Sequence, residues 1–108
     1  MPSEANVRRA DEVANTIIEQ IGRPAFFMLG AKDLLSTTHE GRPGICFKIR
    51  GSEKGNFLRI TLDPSDTYVV ELVKSRGTSW KQVGEVEGVY ADSLHRTIER
   101  LTGLYTSL

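Results

Sequence analysis

A lone cysteine, Cys46, sets the first constraint on this chain. One thiol cannot close an internal disulfide, and a structural thiolate zinc site needs several Cys or His ligands, so neither device is expected to hold the fold. A reducing cytoplasm is the expected compartment. An excess of charge of either sign is missing too, because 14 Lys and Arg face 14 Asp and Glu. That balance argues against bulk electrostatic capture of nucleic acid or of an anionic membrane, so any basic site must be local. No apolar run approaches the ~18 residues of a membrane span. The start, Met1-Pro2-Ser3-Glu4, lacks a charged region leading into an apolar core, so neither a signal peptide nor a membrane partner is expected.

Histidine is scarce as well. His39 in a loop and His95 among charged neighbours on a helix stand in no nucleophile, base and orienter signature. Cys46 shares a strand face with Lys48, which could lower its pKa, but a small apolar filler is the simpler reading. The loop Gly51-Ser52-Glu53-Lys54-Gly55-Asn56 has phosphate-loop residue types, but it lacks the lysine and hydroxyl pair after the second glycine and opens no helix. It reads as a hairpin turn. No enzyme activity, cofactor or metal is expected.

What is present is a run of strands. Ile45–Arg50, Phe57–Leu62 and Thr67–Val73 alternate apolar and polar residues and are cut by turn formers, which predicts a β-meander. Pairing the apolar sets suggests Ile49 opposite Leu58, Phe47 opposite Ile60, Leu58 opposite Leu72 and Leu62 opposite Tyr68. A fourth run, Ser79–Val86, follows Lys74-Ser75-Arg76-Gly77. A three-residue hairpin loop there would put Trp80 opposite Leu72 in the core and Lys81 opposite Glu71 outside.

Around this sheet, Ser3 can cap a helix to Ile21, with Val7, Ala10, Ala14, Ile17, Ile18 and Ile21 on one stripe. Pro24–Leu29 reads as a short strand, interrupted at Gly30 before Leu34–Thr38 resumes an extended pattern. His39–Gly44 is a loop, and Asp63-Pro64-Ser65-Asp66 suits a type I turn. Tyr90–Thr102 is a second amphipathic helix, stopped by Gly103. The expectation is one α+β domain over residues 1–108: an N-terminal helix, a four- or five-stranded antiparallel meander and a C-terminal helix packed on one face.

The other sheet face is the candidate site. The expected register lines up Lys48, Arg59, Glu71 and Lys81, with Phe57 beside Arg50 at one end. Such a row could track a phosphate backbone while Phe57 stacks on a base. In the bland reading the lysines reach into water and Glu71 pairs with Arg59. Lys48 opposite Arg59 would be unfavourable without an acceptor, which favours a partner. The apolar Val69, Val73 and Val83 would need cover, by the N-terminal helix or by a second chain, and together with the tail Leu104 to Leu108 they exceed what one short helix readily covers, pointing to a homodimer.

Several pieces in order resemble a group of short proteins met in bacteriophage, prophage and other mobile-element genomes. They are Phe47-Lys48-Ile49, Ile60-Thr61-Leu62, Asp66-Thr67-Tyr68 with Val70-Glu71, Arg76-Gly77, Glu87-Gly88-Val89-Tyr90-Ala91-Asp92 and Thr102–Leu108. That resemblance covers about the last four fifths of the chain and implies a genetic setting without a mechanism. Separately, Gly55-Asn56-Phe57-Leu58-Arg59-Ile60 is similar to the second-strand signature of the transcriptional-coactivator and purine-rich-element single-strand DNA binders, whose unit is four antiparallel strands and a helix. The double-stranded RNA-binding order of helix, three strands and helix is a looser analogy. The expected function is a small binding protein acting through the outer sheet face on single-stranded nucleic acid or a host protein. The alternative is a self-associating module whose outer face is a dimer interface.

Overall fold

The computed structural model describes residues 4–107. Helix α1 (Glu4–Ile21) is followed by a short α2 (Arg23–Leu29), then by strands β1 (Lys32–His39), β2 (Arg42–Lys48), β3 (Phe57–Leu62), β4 (Tyr68–Arg76) and β5 (Ser79–Val89). A 3-10 turn at Ala91–Ser93 leads into α3 (Leu94–Thr102). The five strands form one antiparallel sheet in chain order, the α+β meander expected from the alternation. The proposed Ser3 cap lies outside the described residues.

Alternation sorts the sheet into two faces. Ile45, Phe47, Leu58, Ile60, Tyr68, Val70 and Leu72 point to one side and form a single core with Ala14, Ile17 and Ile21 of α1, Ala25 and Leu29 of α2, and Leu94 and Ile98 of α3. The three helices therefore cover the same face, and among the described residues no helix packs on the other.

The segment Pro24–Leu29 is a helix, not a strand. Pro24 sits in its first turn, where a missing N–H removes only a donor that the helix leaves unpaired anyway. Ala25 and Leu29, four residues apart, are buried, and Phe26 packs edge-on against Phe47 with ring centroids 5.3 Å apart. A short apolar run has no period that separates helix from buried strand.

Between β3 and β4 the expected register holds, with Leu58 opposite Leu72, Arg59 opposite Glu71 and Leu62 opposite Tyr68. Between β2 and β3 it is displaced by two residues: Phe47 faces Leu58, Cys46 faces Arg59 and Lys48 faces Phe57. The largest correction is at β5. The hairpin turns on two residues, Gly77 and Thr78, with Arg76 opposite Ser79, and an irregularity between Leu72 and Val73 shifts the ladder. Trp80 consequently pairs with Ser75 on the helix-free face instead of Leu72 in the core, and Lys81 pairs with Lys74 instead of Glu71. Gly84 takes the position opposite Leu72, where a Cβ would come within 2.9 Å of the Leu101 side chain of α3. The indole is excluded from a place where the helix needs a glycine.

At the other end of the meander the expected His39–Gly44 loop closes to a two-residue turn, Glu40-Gly41. Both residues have positive φ, 52° and 77°, as tight hairpins require. The Asp63–Asp66 turn forms as expected, with the Asp66 N–H donating to the Asp63 carbonyl at 2.9 Å. In the tail, Leu104 packs against the core, and Thr106 donates its N–H and its hydroxyl to the Glu99 carboxylate at 2.8 and 2.9 Å. Tyr105 is exposed, and Leu108 lies outside the described residues.

Candidate site on the helix-free sheet face

The transverse row at the centre of this face is Leu35, Cys46, Arg59, Glu71 and Glu85. Arg59 and Glu71 are only 7% and 2% exposed although no helix covers them. They form a two-point ion pair, Arg59 Nε to Glu71 Oε1 at 3.1 Å and Nη2 to Oε2 at 2.8 Å. Arg42 Nη2 stands 3.8 Å from Glu71 Oε1, and His39 Nε2 stands 3.9 Å from Oε2. Arg42 also donates from Nε to the Thr61 hydroxyl at 3.1 Å and reaches Glu40 at 3.3 Å. Burial pushes the Glu71 carboxyl up, but the Arg59 hydrogen bonds and charge, with His39 and Arg42 behind them, outweigh it and hold the group below the usual carboxylate range. Among the described residues no buried side-chain nitrogen or oxygen lacks a partner. The centre of the face is thus a closed, internally neutralised network.

The Cys46 thiol is pushed up by burial, against the opposing influence of Arg59 and a Thr37 hydrogen bond. Lys48 does not activate it, and at neutral pH the group is a protonated filler.

Open binding surface lies one step along the strands. The Arg59 guanidinium sits 5.8 Å from the Trp80 ring centroid, and Phe57 lies 5.2 Å from the same ring at a 57° tilt. Phe57 is half-buried, but Trp80 keeps 55% of its surface exposed. Arg59 therefore has one side occupied by Glu71 and another by an indole that still offers its own surface to solvent, an arrangement that orients the ring. Lys48, beside Phe57, pairs with Asp33 at 3.3 Å, with both side chains exposed, so the pair is weak and readily exchanged. Lys48 faces Phe57 and Lys32, not Arg59.

The other expected site residues separate. Arg50 lies off this face, against Gly30 at the end of α2. Lys81 is exposed on the helix side of the β4–β5 hairpin. Val69 and Val73 are buried within the chain, 3% and 1% exposed, whereas Val83 remains exposed. Apolar cover by a second copy is thus not needed at the first two. His95 is largely exposed, as expected for the polar side of α3, yet its Nε2 lies 2.7 Å from the Ile21 carbonyl and so ties α3 to the end of α1.

The zero net charge conceals a separation that the meander creates. One end of the sheet gathers the start of β1, the β2–β3 connection and the β4–β5 hairpin, and so collects Lys32, Lys48, Arg50 and Lys54 with Lys74, Arg76 and Lys81. The carboxylates in those same segments are Asp33 and Glu53, and all seven cations are exposed. The opposite end gathers Glu40, Asp63, Asp66, Glu87 and Asp92 around Arg42. Trp80 and Phe57 stand at the basic end. The signal was in the sequence, since alternate connections of a meander fall at the same end, and charges counted by alternate connection separate where the total cancels.

Among the described residues, no group of three or more His, Cys, Asp and Glu side chains converges as a metal site, and no helix is long and apolar enough to cross a membrane. No family model, curated protein or solved structure matches the chain.

Proposed function

We propose that this chain is a small non-enzymatic binding protein of a phage or mobile element, and that it takes single-stranded nucleic acid on the helix-free face of its sheet. The observation that carries this reading is the half-exposed Trp80, braced by Phe57 and Arg59 at the end of the sheet where the cations collect. Stacking of bases on aromatic rings, beside a basic track for the backbone, is how sequence-tolerant single-strand binders work. A duplex hides its base faces, so the same patch favours single strands. The genetic setting rests on the resemblance of the β-strand and tail segments to mobile-element proteins. Further support for a binding role is that the buried polar groups at the centre of the face pair with one another and present no activated nucleophile.

The test is a titration of labelled single-stranded and duplex oligonucleotides at low salt. Wild-type protein is expected to prefer the single strand, with affinity falling as salt rises because neutralised phosphates release counterions. Trp80→Ala should weaken binding by about 1–3 kcal/mol with an unchanged thermal melt, since the ring is half in solvent. Absence of single-strand binding at low salt overturns the reading. The face would then belong to a host protein or to a second copy, and sedimentation separates those two.

A further inference from the structure

A second surface at the basic end has the same chemistry. An open cleft of about 280 Å³ lies between α2 and the β2–β3 connection, lined by Phe26, Phe27, Gly30, Ala31, Lys32 and Arg50. Phe27 is 85% exposed, the most exposed of the large apolar side chains described. It follows Phe26 on α2, whose buried side is taken by Ala25 and Leu29, so its ring is left over by the packing of the helix. Arg50 is fixed by its backbone N–H, which donates to the Leu29 carbonyl at 2.9 Å. Its stem closes against Gly30, where φ is +63° and a Cβ would lie 2.9 Å from the Arg50 Cβ. Among the described residues no carboxylate lines the cleft. An exposed ring, an apolar floor and two cations suit a planar aromatic group that carries negative charge, and a nucleotide is such a group.

Lys32, which lines the cleft, also stands in the outer-face ladder. Lys32 pairs with Lys48 across β1 and β2, and Lys48 pairs with Phe57 across β2 and β3. Two strand spacings, about 10 Å, therefore separate Phe57, at the near edge of the patch, from Lys32 at the rim of the cleft, and Lys48 lies between them in an exposed, exchangeable pair with Asp33. We propose, resting on the single-strand reading above, that a bound strand stacks first on Trp80, crosses Lys48 and Lys32, and seats a further base on Phe27 with its phosphate at Arg50. The site is then a two-platform path around the end of the sheet, and its length sets the number of nucleotides engaged.

Oligothymidines of about 4 and about 12 nucleotides, both within the range of site sizes for compact single-strand modules, separate the inference from the reading it rests on. Phe27→Ala is expected to weaken the longer oligonucleotide about tenfold and the shorter less than twofold, whereas Trp80→Ala weakens both. Arg50→Glu should likewise weaken the longer one selectively and make its salt dependence shallower by about one phosphate contact. It serves as the second variant should Phe27→Ala melt early. An equal effect of Phe27→Ala on both lengths, or none on either, overturns the two-platform path, and if Trp80→Ala still weakens binding the outer-face reading stands. Failure of the wild-type protein to bind either length removes both.

Discussion

Replacing Glu71 with alanine is expected to cost about 3–5 kcal/mol of folding stability, because it leaves the Arg59 guanidinium buried without its counter-charge. Arg59 and Glu71 are almost fully removed from solvent, and Arg42 and His39 lean on the same carboxylate. The loss would therefore spread to the β1–β2 end of the sheet. Protonation of Glu71 has the same effect in weaker form. Its carboxyl is held below its ordinary value in the folded chain, so the stabilisation is fully present above the unfolded pKa of about 4.3 and is lost as pH falls through the folded value. Chemical denaturation as a function of pH should show wild-type stability declining on the acid side, and Glu71→Gln should flatten that part of the decline. Asp63 and Glu99 are also held low, by Ser65 and Thr106 respectively, so some acid sensitivity remains in the variant.

Gly44→Ala is expected to be comparably damaging for a different reason. Gly44 is paired with Thr61, and a Cβ at that position would lie 2.0 Å from the Ile60 carbonyl oxygen and 2.6 Å from the Thr61 Cα. Both are backbone atoms, so no rotamer change relieves the clash and β2 must move away from β3. Overpacking in a well-filled interior costs about 1–3 kcal/mol and sometimes more, and a clash with backbone belongs at or beyond the top of that range. Thermal unfolding followed by circular dichroism checks it. Gly41→Ala, where a new Cβ meets nothing within 4 Å and the cost is instead the strain of a positive φ that Gly44 does not share, gives a clash-free comparison. The two variants should differ in midpoint by many degrees, and equal midpoints would show that β2 can yield at Gly44.

How far the sequence discloses this molecule depends on what each residue pattern constrains. The β3–β4 register is legible because two apolar pairs and one charge pair, Leu58 with Leu72, Leu62 with Tyr68 and Arg59 with Glu71, agree on one alignment. A slip of one residue would turn every side chain to the wrong face. The β2–β3 register is not legible in the same way. A slip of two preserves the faces, and the long connection from Ile49 to Asn56 fixes no offset. At β5, hydrophobicity argued for a buried Trp80, but the two-residue turn and the irregularity beside Leu72 return it to the open face. Alternation alone thus places in the core the residue that matters most to the proposed site. Lys48, Phe57 and Arg59 are on the outer face where the alternation put them, although their neighbours changed. Arg50 and Lys81 join the site only in a register that the hairpins do not keep.

Trp80 is the chain's one tryptophan, so its fluorescence reports the proposed platform without any label. Titrating single-stranded oligothymidine into the wild-type protein at low salt should quench that emission in a saturable way as a base stacks on the exposed indole, and added salt should restore it as the strand dissociates. Emission that stays constant while an independent measurement shows the oligonucleotide bound would contradict the account, because it would place the strand away from Trp80.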